Sequence, residues 1–227
     1  CKLALIVRRE RDGIRRYVHL GTGNYNATTA RIYTDLGLMT CREDIASDVS
    51  DVFNFLTGFS NPKTYRKLGV APVSLRETIR DMIRNEIKYG KDGHLIFKIN
   101  ALLDPAMIED LYRASQAGVR VDLIVRGICC IRPGFPGVSD TIRVISIVGR
   151  FLEHSRIYYF HNGGQPLVYL SSADWMPRNL HQRLEISFPI VDEDLKRYVR
   201  DVILKTLLRD NQKARLLLPQ GQWVRLR

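Results

Sequence analysis

A histidine and an arginine stand two residues apart in the stretch FLEHSRIYYF, at residues 151–160. Ile157 to Phe160 are β-branched or aromatic, which is typical of a β-strand. Because side chains alternate along a strand, His154 and Arg156 are predicted to point from the same face at its entry. An imidazole beside a guanidinium can exchange a proton with a phosphate oxygen and hold its negative charge.

The same design occurs a second time, about 150 residues upstream. The segments and residues that match at this offset are LGTGNYN (20–26) with LSSADWM (170–176), DLGL (35–38) with EISF (185–188), Asn24 with Asp174, and Asp35 with Glu185. A hairpin precedes each turn, and Lys2 matches Arg156 if the second hairpin is four residues shorter. The position that matches His154 then lies immediately before Cys1. The sequence therefore contains two copies of one strand-turn-strand-turn unit.

The elements around these motifs indicate an α/β protein. Apolar residues recur at helical spacing over residues 43–56. Ser74, followed three residues later by Glu77, predicts a capping box that opens a second helix. Strand HLIFKIN, a helix over residues 104–117 and strand VRVDLIVRG form a βαβ unit, which requires parallel strands. Further strands and a long helix from about 194 to 208 follow.

Composition narrows the class of protein. The 227 residues carry a formal net charge of +11, which favours polyanionic partners such as nucleic acid, anionic membrane or phosphate chains. Four cysteines without a CxxC motif indicate reduced thiols rather than a zinc site. No apolar run approaches the roughly 18 residues that a membrane span needs, and the amino terminus has no signal-peptide pattern. We expect a cytoplasmic protein without an anchor of its own.

Several long blocks, taken together, resemble a known family. The blocks are YVHLGTGNYNATTARIYTDLGL, VFNFLTG, VRGICCIRPG, SIVGRFLEHSRIYYFHNGG and VYLSSADWMPRNL. They resemble the two C-terminal domains of bacterial polyphosphate kinase of the phosphohistidine type. The resemblance implies an α/β fold with two phospholipase D-like domains, each a mixed β-sheet flanked by helices. The first, truncated at its N-terminus, is predicted at residues 1–69 and the second at 70–227.

The resemblance also implies site roles. The phosphorylated histidine would precede Cys1, so this chain alone is expected to be inactive. The other implied roles are phosphate binding by Lys2 and Arg156, nucleotide-phosphate binding and acid catalysis by His154, and nucleotide contacts by Tyr33 and Arg126. His19 is expected to support the site, because it lies beside the glycine turn, whose backbone N–H groups could approach phosphate. Arg126 also ends a strand of the βαβ unit, where α/β sheets bind ligands. No residue is assigned to a metal.

Other polar residues are given supporting functions or none. Asn24 and Asp174 are expected to orient the histidines, because a buried polar group at a turn needs a partner. A basic tunnel for the polyphosphate chain is predicted from five arginines, namely Arg113, Arg120, Arg132, Arg143 and Arg150. Three further histidines show no metal-ligand spacing and receive no role, namely His94, His161 and His181.

The expected reaction is reversible transfer of the terminal phosphate of ATP to inorganic polyphosphate. The resemblance implies ATP or ADP and Mg²⁺, whose family ligands lie outside this chain, and a homo-oligomer, with peripheral association at the inner membrane left open. One alternative is a phospholipase D-like phosphodiesterase or nuclease, which would share the paired repeats with their histidine and cation but not the long blocks. Another is a nucleic-acid-binding module, which explains the charge but lacks the interleaved aromatic residues of a single-strand binder.

Overall fold

The computed structural model describes residues 1–226, which form three sheets and their flanking helices. The strands are β1 (Leu3–Glu10), β2 (Gly13–Gly21), β3 (Tyr33–Thr34), β4 (Gly37–Thr40), β5 (Gly69–Ala71), β6 (His94–Ile99), β7 (Arg120–Val125), β8 (Ile142–Ile147), β9 (Leu152–Glu153), β10 (Arg156–Phe160), β11 (Leu167–Ser171), β12 (Glu185–Pro189), β13 (Ala214–Leu217) and β14 (Trp223–Arg225). The helices are α1 (Glu43–Leu56), α2 (Leu75–Ile87), α3 (Pro105–Gln116), α4 (Pro177–His181), α5 (Glu193–Arg197) and α6 (Lys205–Leu208).

The largest sheet has nine strands in the order β14-β13-β8-β7-β6-β10-β11-β12-β5. Strands β6, β7 and β8 run parallel, and the pairs on either side of them are antiparallel. One face of this sheet packs on α2 and α3 through a core that includes Leu75, Ile79 and Phe97. The predicted βαβ unit and its parallel strands are confirmed.

A smaller antiparallel sheet contains β1, β2 and β4, and α1 packs against it. Val18 and Leu20 of β2 and Val49 of α1 belong to the same apolar core as Ile157 and Ile96 of the nine-stranded sheet. The two sheets therefore share a core, and the motifs of the two repeats are carried on one continuous scaffold.

Two short strands connect the repeats directly. Strand β3 pairs in parallel with β9, so Tyr33 lies opposite Leu152 and Thr34 opposite Glu153. The Thr34 carbonyl then accepts hydrogen bonds from the backbone nitrogens of His154 (3.3 Å) and Ser155 (2.9 Å). This pairing fixes the backbone that carries His154 against the first repeat.

Most predicted elements are confirmed, and one local prediction is wrong. Helix α1 has the predicted bounds, and the long final helix begins at Glu193 and includes a π-helical stretch at Tyr198–Leu204. The capping box is not formed, because the Ser74 hydroxyl accepts a hydrogen bond from the Val70 nitrogen (3.2 Å) and does not cap α2. The segment before α2 folds back, so that the Val70 nitrogen takes the place of a helix nitrogen as the donor to the Ser74 hydroxyl.

The α/β fold class with sheets flanked by helices is confirmed. The domain boundary between residues 69 and 70 stays a prediction; it falls within β5, which pairs with β12. All four cysteines are free. Among residues 1–226, no helix is both long and apolar enough to span a membrane.

Candidate active site

His154 lies at the entry to β10, nearly buried, with both of its ring nitrogens engaged. Nδ1 lies 2.8 Å from Oδ1 of Asp35. A carboxylate can only accept a hydrogen bond, so Nδ1 carries the hydrogen. In the neutral ring Nε2 then carries a lone pair, and Nη1 of Arg156, 3.1 Å away, can donate to it. This arrangement places a basic nitrogen beside a cation, so Arg156 can attract a phosphate oxygen and Nε2, once protonated, can donate to it.

Asp35 is itself held in place by Thr22. The Thr22 hydroxyl donates to Oδ1 of Asp35 at 2.7 Å. Burial raises the pKa of Asp35, but hydrogen bonds from His154 and Thr22 and the positive charge of Arg156 outweigh it, so the pKa is lowered. The carboxyl therefore stays ionised and keeps the imidazole in one tautomer and one orientation.

Arg156 is a buried cation with a bidentate partner. Its Nε and Nη2 donate to the two oxygens of Asp174 at 3.2 and 2.7 Å. Asp174 also accepts from the backbone nitrogen of Asn100 (2.8 Å), so the carboxylate is tied to the end of β6. Nη1 remains directed at His154 and the carbonyl of Thr22. The fork holds Arg156 rigid with one nitrogen facing the imidazole.

The hydrogen bonds around the two turns repeat at the offset of 150. In the first copy Thr22 donates to Asp35, its nitrogen donates to the Leu36 carbonyl, and its hydroxyl accepts from the Leu36 nitrogen (3.0 Å). In the second copy Ser172 makes the equivalent bonds to Glu185 and Ile186. Glu185 therefore occupies the place in the second repeat that Asp35 occupies in the first.

The second carboxylate faces the start of β1. The backbone nitrogen of Cys1 lies 3.5 Å from Oε2 of Glu185. Lys2 is half-buried; burial lowers its pKa, Glu185 raises it, and Arg156 lowers it further. Lys2 is thus close enough to interact electrostatically with Arg156 beside His154, as its place in the repeat predicts.

Tyr33 and Arg126 reach the same region from two other elements. The Tyr33 ring lies 4.7 Å from the His154 ring, centroid to centroid. Arg126 follows β7 and donates from Nε to Oδ1 of Asn100 (3.2 Å), whose Nδ2 donates to the His154 carbonyl (3.2 Å). The structure therefore gathers Lys2, Tyr33, Arg126, His154 and Arg156.

His19 has a different neighbourhood. Its Nδ1 lies 2.6 Å from the Tyr25 hydroxyl, and its ring lines an apolar hollow with Ile6 and Met39. Its Cε1 would lie 3.3 Å from a Cβ placed at Gly21, beside the stem of Lys2. Among residues 1–226, no hydrogen bond joins His19 to His154 or Arg156, so its supporting role stays a prediction.

One sequence interpretation needs correction, namely that Asp174 orients a histidine. Asp174, in the turn after β11, accepts hydrogen bonds from Arg156 of its own hairpin. The carboxylate that orients His154 is instead Asp35, which belongs to the other repeat. The Asn24 side chain makes no hydrogen bond within the described chain. Sequence analysis missed the role of Asp35, although its alignment with Glu185 was a signal that could have shown it.

The predicted basic tunnel is also wrong, because its five arginines are dispersed. Arg120 and Arg143 lie beside Asp122 at the amino ends of β7 and β8, which is the end of the sheet away from His154. The other three have local contacts: Arg113 with Glu109, Arg132 with the Pro219 carbonyl, and Arg150 with the Phe151 ring.

Comparison with known proteins agrees with this geometry. The family model for polyphosphate kinase C-terminal domain 1 matches residues 1–62, and the model for C-terminal domain 2 matches residues 68–227. This chain belongs to the polyphosphate kinase family. It is 54% identical to a polyphosphate kinase of Synechocystis and 53% identical to polyphosphate kinase 1 of Chlorobaculum tepidum, covering all of this chain but 31% and 33% of those proteins.

One solved structure gives the same assignment, and a second shares the fold. The polyphosphate kinase of Porphyromonas gingivalis superposes with a TM-score of 0.91 at 46% identity, over 99% of this chain and 35% of that protein. The phosphatidylserine synthase of Haemophilus influenzae matches 89% of this chain and 62% of that protein with a TM-score of 0.57 at 12% identity, a likeness of fold alone. The chain thus spans about a third of the length of the polyphosphate kinases it matches.

Proposed function

We propose that this chain is the carboxyl-terminal catalytic part of an ATP:polyphosphate phosphotransferase that works through a phosphohistidine. The observation that carries the proposal is the hydrogen bond from His154 of one repeat to Asp35 of the other, beside the buried fork of Arg156 and Asp174. Phosphoryl transfer relies on positioning and on stabilising charge, and this cluster supplies both in a nearly buried setting.

Each residue has a role that follows from its contacts. With Nε2 protonated, His154 can donate to a phosphate oxygen and give that proton to the leaving oxygen, and in the reverse direction Nε2 takes the proton back, while Asp35 keeps Nδ1 protonated. Arg156 and Lys2 attract the nonbridging oxygens. The Tyr33 ring lies tilted beside the His154 ring, and Arg126 extends the positive charge toward the end of β7, which fits contact with the nucleotide phosphates of ATP or ADP.

The phosphoacceptor histidine is proposed at the position immediately before Cys1. The repeat matches this position to His154, and Glu185 would hold its Nδ1 as Asp35 holds that of His154. The two imidazoles would then face one phosphate, each supported by a carboxylate of the opposite repeat. A neutral histidine held in this way has its Nε2 lone pair available for attack.

The residues present do not form a magnesium site. Among residues 1–226, no three side chains of His, Cys, Asp or Glu cluster as metal ligands. The carboxylates near His154 are already hydrogen-bonded, Asp35 to His154, Asp174 to Arg156 and Glu185 to Ser172. The Mg²⁺ that the family implies is therefore assigned to residues outside this chain. A homo-oligomer and a cytoplasmic location, with peripheral membrane contact open, belong to the same proposal.

The test uses the full-length protein and ATP labelled in its terminal phosphate. We expect acid-labile label on the protein and label in polymeric phosphate, whereas the 227-residue chain alone should give neither. Absence of both products from the full-length protein would contradict the proposal. A filter-binding competition between polyphosphate and single-stranded DNA at equal phosphate should favour polyphosphate. Preference for the DNA would instead indicate a nucleic-acid-binding module.

A further inference from the structure

A strongly basic hollow lies beside the active-site cluster, between the ends of β7 and β8 and the hairpin of β13 and β14. Its volume is about 570 Å³. Four cations line it, namely Arg126, Lys213, Arg215 and Arg225, and none of the carboxylates of residues 1–226 does. The remaining lining includes Trp223 and Val148.

These four cations differ from most arginines of the chain in having no acidic partner. Within residues 1–226, no carboxylate oxygen lies within 4.0 Å of their nitrogens, whereas Arg80 and Arg120 pair with Asp110 and Asp122. Four like charges around one concave surface repel one another and focus a positive potential into it. An anion in the hollow would relieve this repulsion.

Strand register produces this concentration of charge. Arg215 lies opposite Arg225 on one side and opposite Ser146 on the other. Directly paired residues project from the same face of a sheet, so Arg215 and Arg225 extend together above the end of β8. Nη2 of Arg225 donates to the Gln212 carbonyl (2.8 Å), which closes the hairpin over the hollow. Strand pairing therefore fixes the backbone that carries Arg215 and Arg225.

The hollow is joined to the active-site cluster through one residue. Arg126 lines the hollow and also donates to Asn100, which in turn donates to the His154 carbonyl. An anionic chain whose end lies at His154 could thus continue past Arg126 without leaving positive surface. Phosphates repeated along a chain can contact several cations in this way.

We propose that this hollow binds phosphoryl groups of the polyphosphate chain distal to the group that reacts at His154. The inference rests on the proposed function and adds a substrate subsite to it. A polyphosphate chain fits the absence of lining carboxylates, since the ribose hydroxyls of a nucleotide would lack a charged acceptor there. The subsite would make binding depend on chain length.

The experiment measures equilibrium binding to the full-length protein of long-chain polyphosphate, tripolyphosphate and ADP. The double variant Lys213→Gln/Arg215→Gln removes two cations from the hollow, and Val148→Glu adds an anion at its rim, where the Val148 residue is 70% exposed and little packing is lost. We expect both the double variant and Val148→Glu to weaken long-chain binding about tenfold. In the double variant the salt dependence of binding should also fall, because each phosphate contact that is lost no longer releases counterions. Tripolyphosphate and ADP binding should change less than twofold.

The matched control is Arg9→Gln/Arg11→Gln, which removes two exposed cations of the β1–β2 hairpin and should leave all three ligands unaffected. Unchanged long-chain binding in both hollow variants, or equal weakening in the control, would overturn the proposal. Loss of ADP affinity without loss of long-chain affinity would make the hollow a nucleotide site instead. Phosphorylation of the protein by ATP is followed separately, so failure of the proposed function is distinguished from failure of the subsite.

Discussion

Asp35 and His154 are 119 residues apart in the chain, yet Oδ1 of Asp35 lies 2.8 Å from Nδ1 of His154. The two residues belong to different repeats, and the pairing of β3 with β9 brings their backbones together. The imidazole therefore depends on both repeats for its orientation. A disturbance of either repeat should affect the same ring.

The first prediction concerns Asp35→Asn in the full-length protein. An amide can donate to Nδ1 and so favour the wrong tautomer of His154, while the side-chain volume is conserved. We expect turnover to fall about 100- to 10,000-fold, the range seen for acid-base groups and their orienting carboxylates. The measurement is ATP/ADP exchange, with the exposed Asp12→Asn as the control. Near-normal exchange in Asp35→Asn would mean that Arg156 alone positions the ring.

The second prediction concerns stability and Asp174→Asn. The change leaves the Arg156 guanidinium buried without its anionic partner, and removing one member of a buried pair costs about 3 to 5 kcal/mol. Asp44→Asn, which breaks the exposed pair with Arg42, should cost much less. Urea unfolding of each protein gives both values. Equal losses in the two variants would show that burial of Arg156 carries no special cost.

Gly23 provides a steric test of the same network. A Cβ at Gly23 would lie 2.3 Å from Oδ2 and 2.7 Å from Cβ of Asp35, so the Asp35 side chain must move. We expect Gly23→Ala to reduce ATP/ADP exchange by at least about tenfold, because a small misplacement of a catalytic group is costly. Gly58→Ala is a suitable control for a glycine with nothing within 4 Å of the added carbon, although its positive φ of 74° carries some strain. Full activity of Gly23→Ala would contradict the requirement for a fixed Asp35.

Lys98 makes stability depend on pH. Burial lowers its pKa to about 8 from an ordinary value of 10.5, despite the nearby Glu153 carboxylate. Between about pH 8 and 10.5 the unfolded chain binds more protons at this lysine than the folded chain, so stability rises with pH. The gain relative to Lys98→Met should approach about 3 kcal/mol across that range. Urea unfolding at several pH values measures it, and parallel curves for the two proteins would contradict the assignment.

Local patterns in the sequence were sufficient for part of this site. Alternation along β10 placed His154 and Arg156 on one face, and the repeat placed Lys2 near them. The internal alignment of Asp35 with Glu185 also held the information about the orienting carboxylates, although turn chemistry pointed to Asp174 instead. A repeat shows which positions are equivalent, but not whether a side chain turns toward its own hairpin or toward the other copy.

Other features depend on contacts that local patterns do not contain. The Ser74 hydroxyl bonds to Val70 because the preceding strand folds back, which overrides the capping pattern. The sequence predicted one tunnel from the basic segment, yet Arg120 begins β7 and Arg126 directly follows it, so the two cations lie at opposite ends of the same strand. Three of the four cations that do gather come from residues 213 to 225, and this segment reaches Arg126 only because β13 pairs with β8 in the folded chain.

The most direct test of the account compares His154→Ala with His181→Ala in the full-length protein, by ATP/ADP exchange and thermal unfolding on the same preparations. His154 contributes little apolar burial, so its loss should lower the melting temperature only slightly while exchange falls about 100- to 10,000-fold. His181→Ala, at an exposed histidine outside the cluster, should change neither markedly. If His154→Ala retains nearly full exchange, or loses it only in proportion to lost folded protein, His154 is structural and the paired repeats do not form the active site.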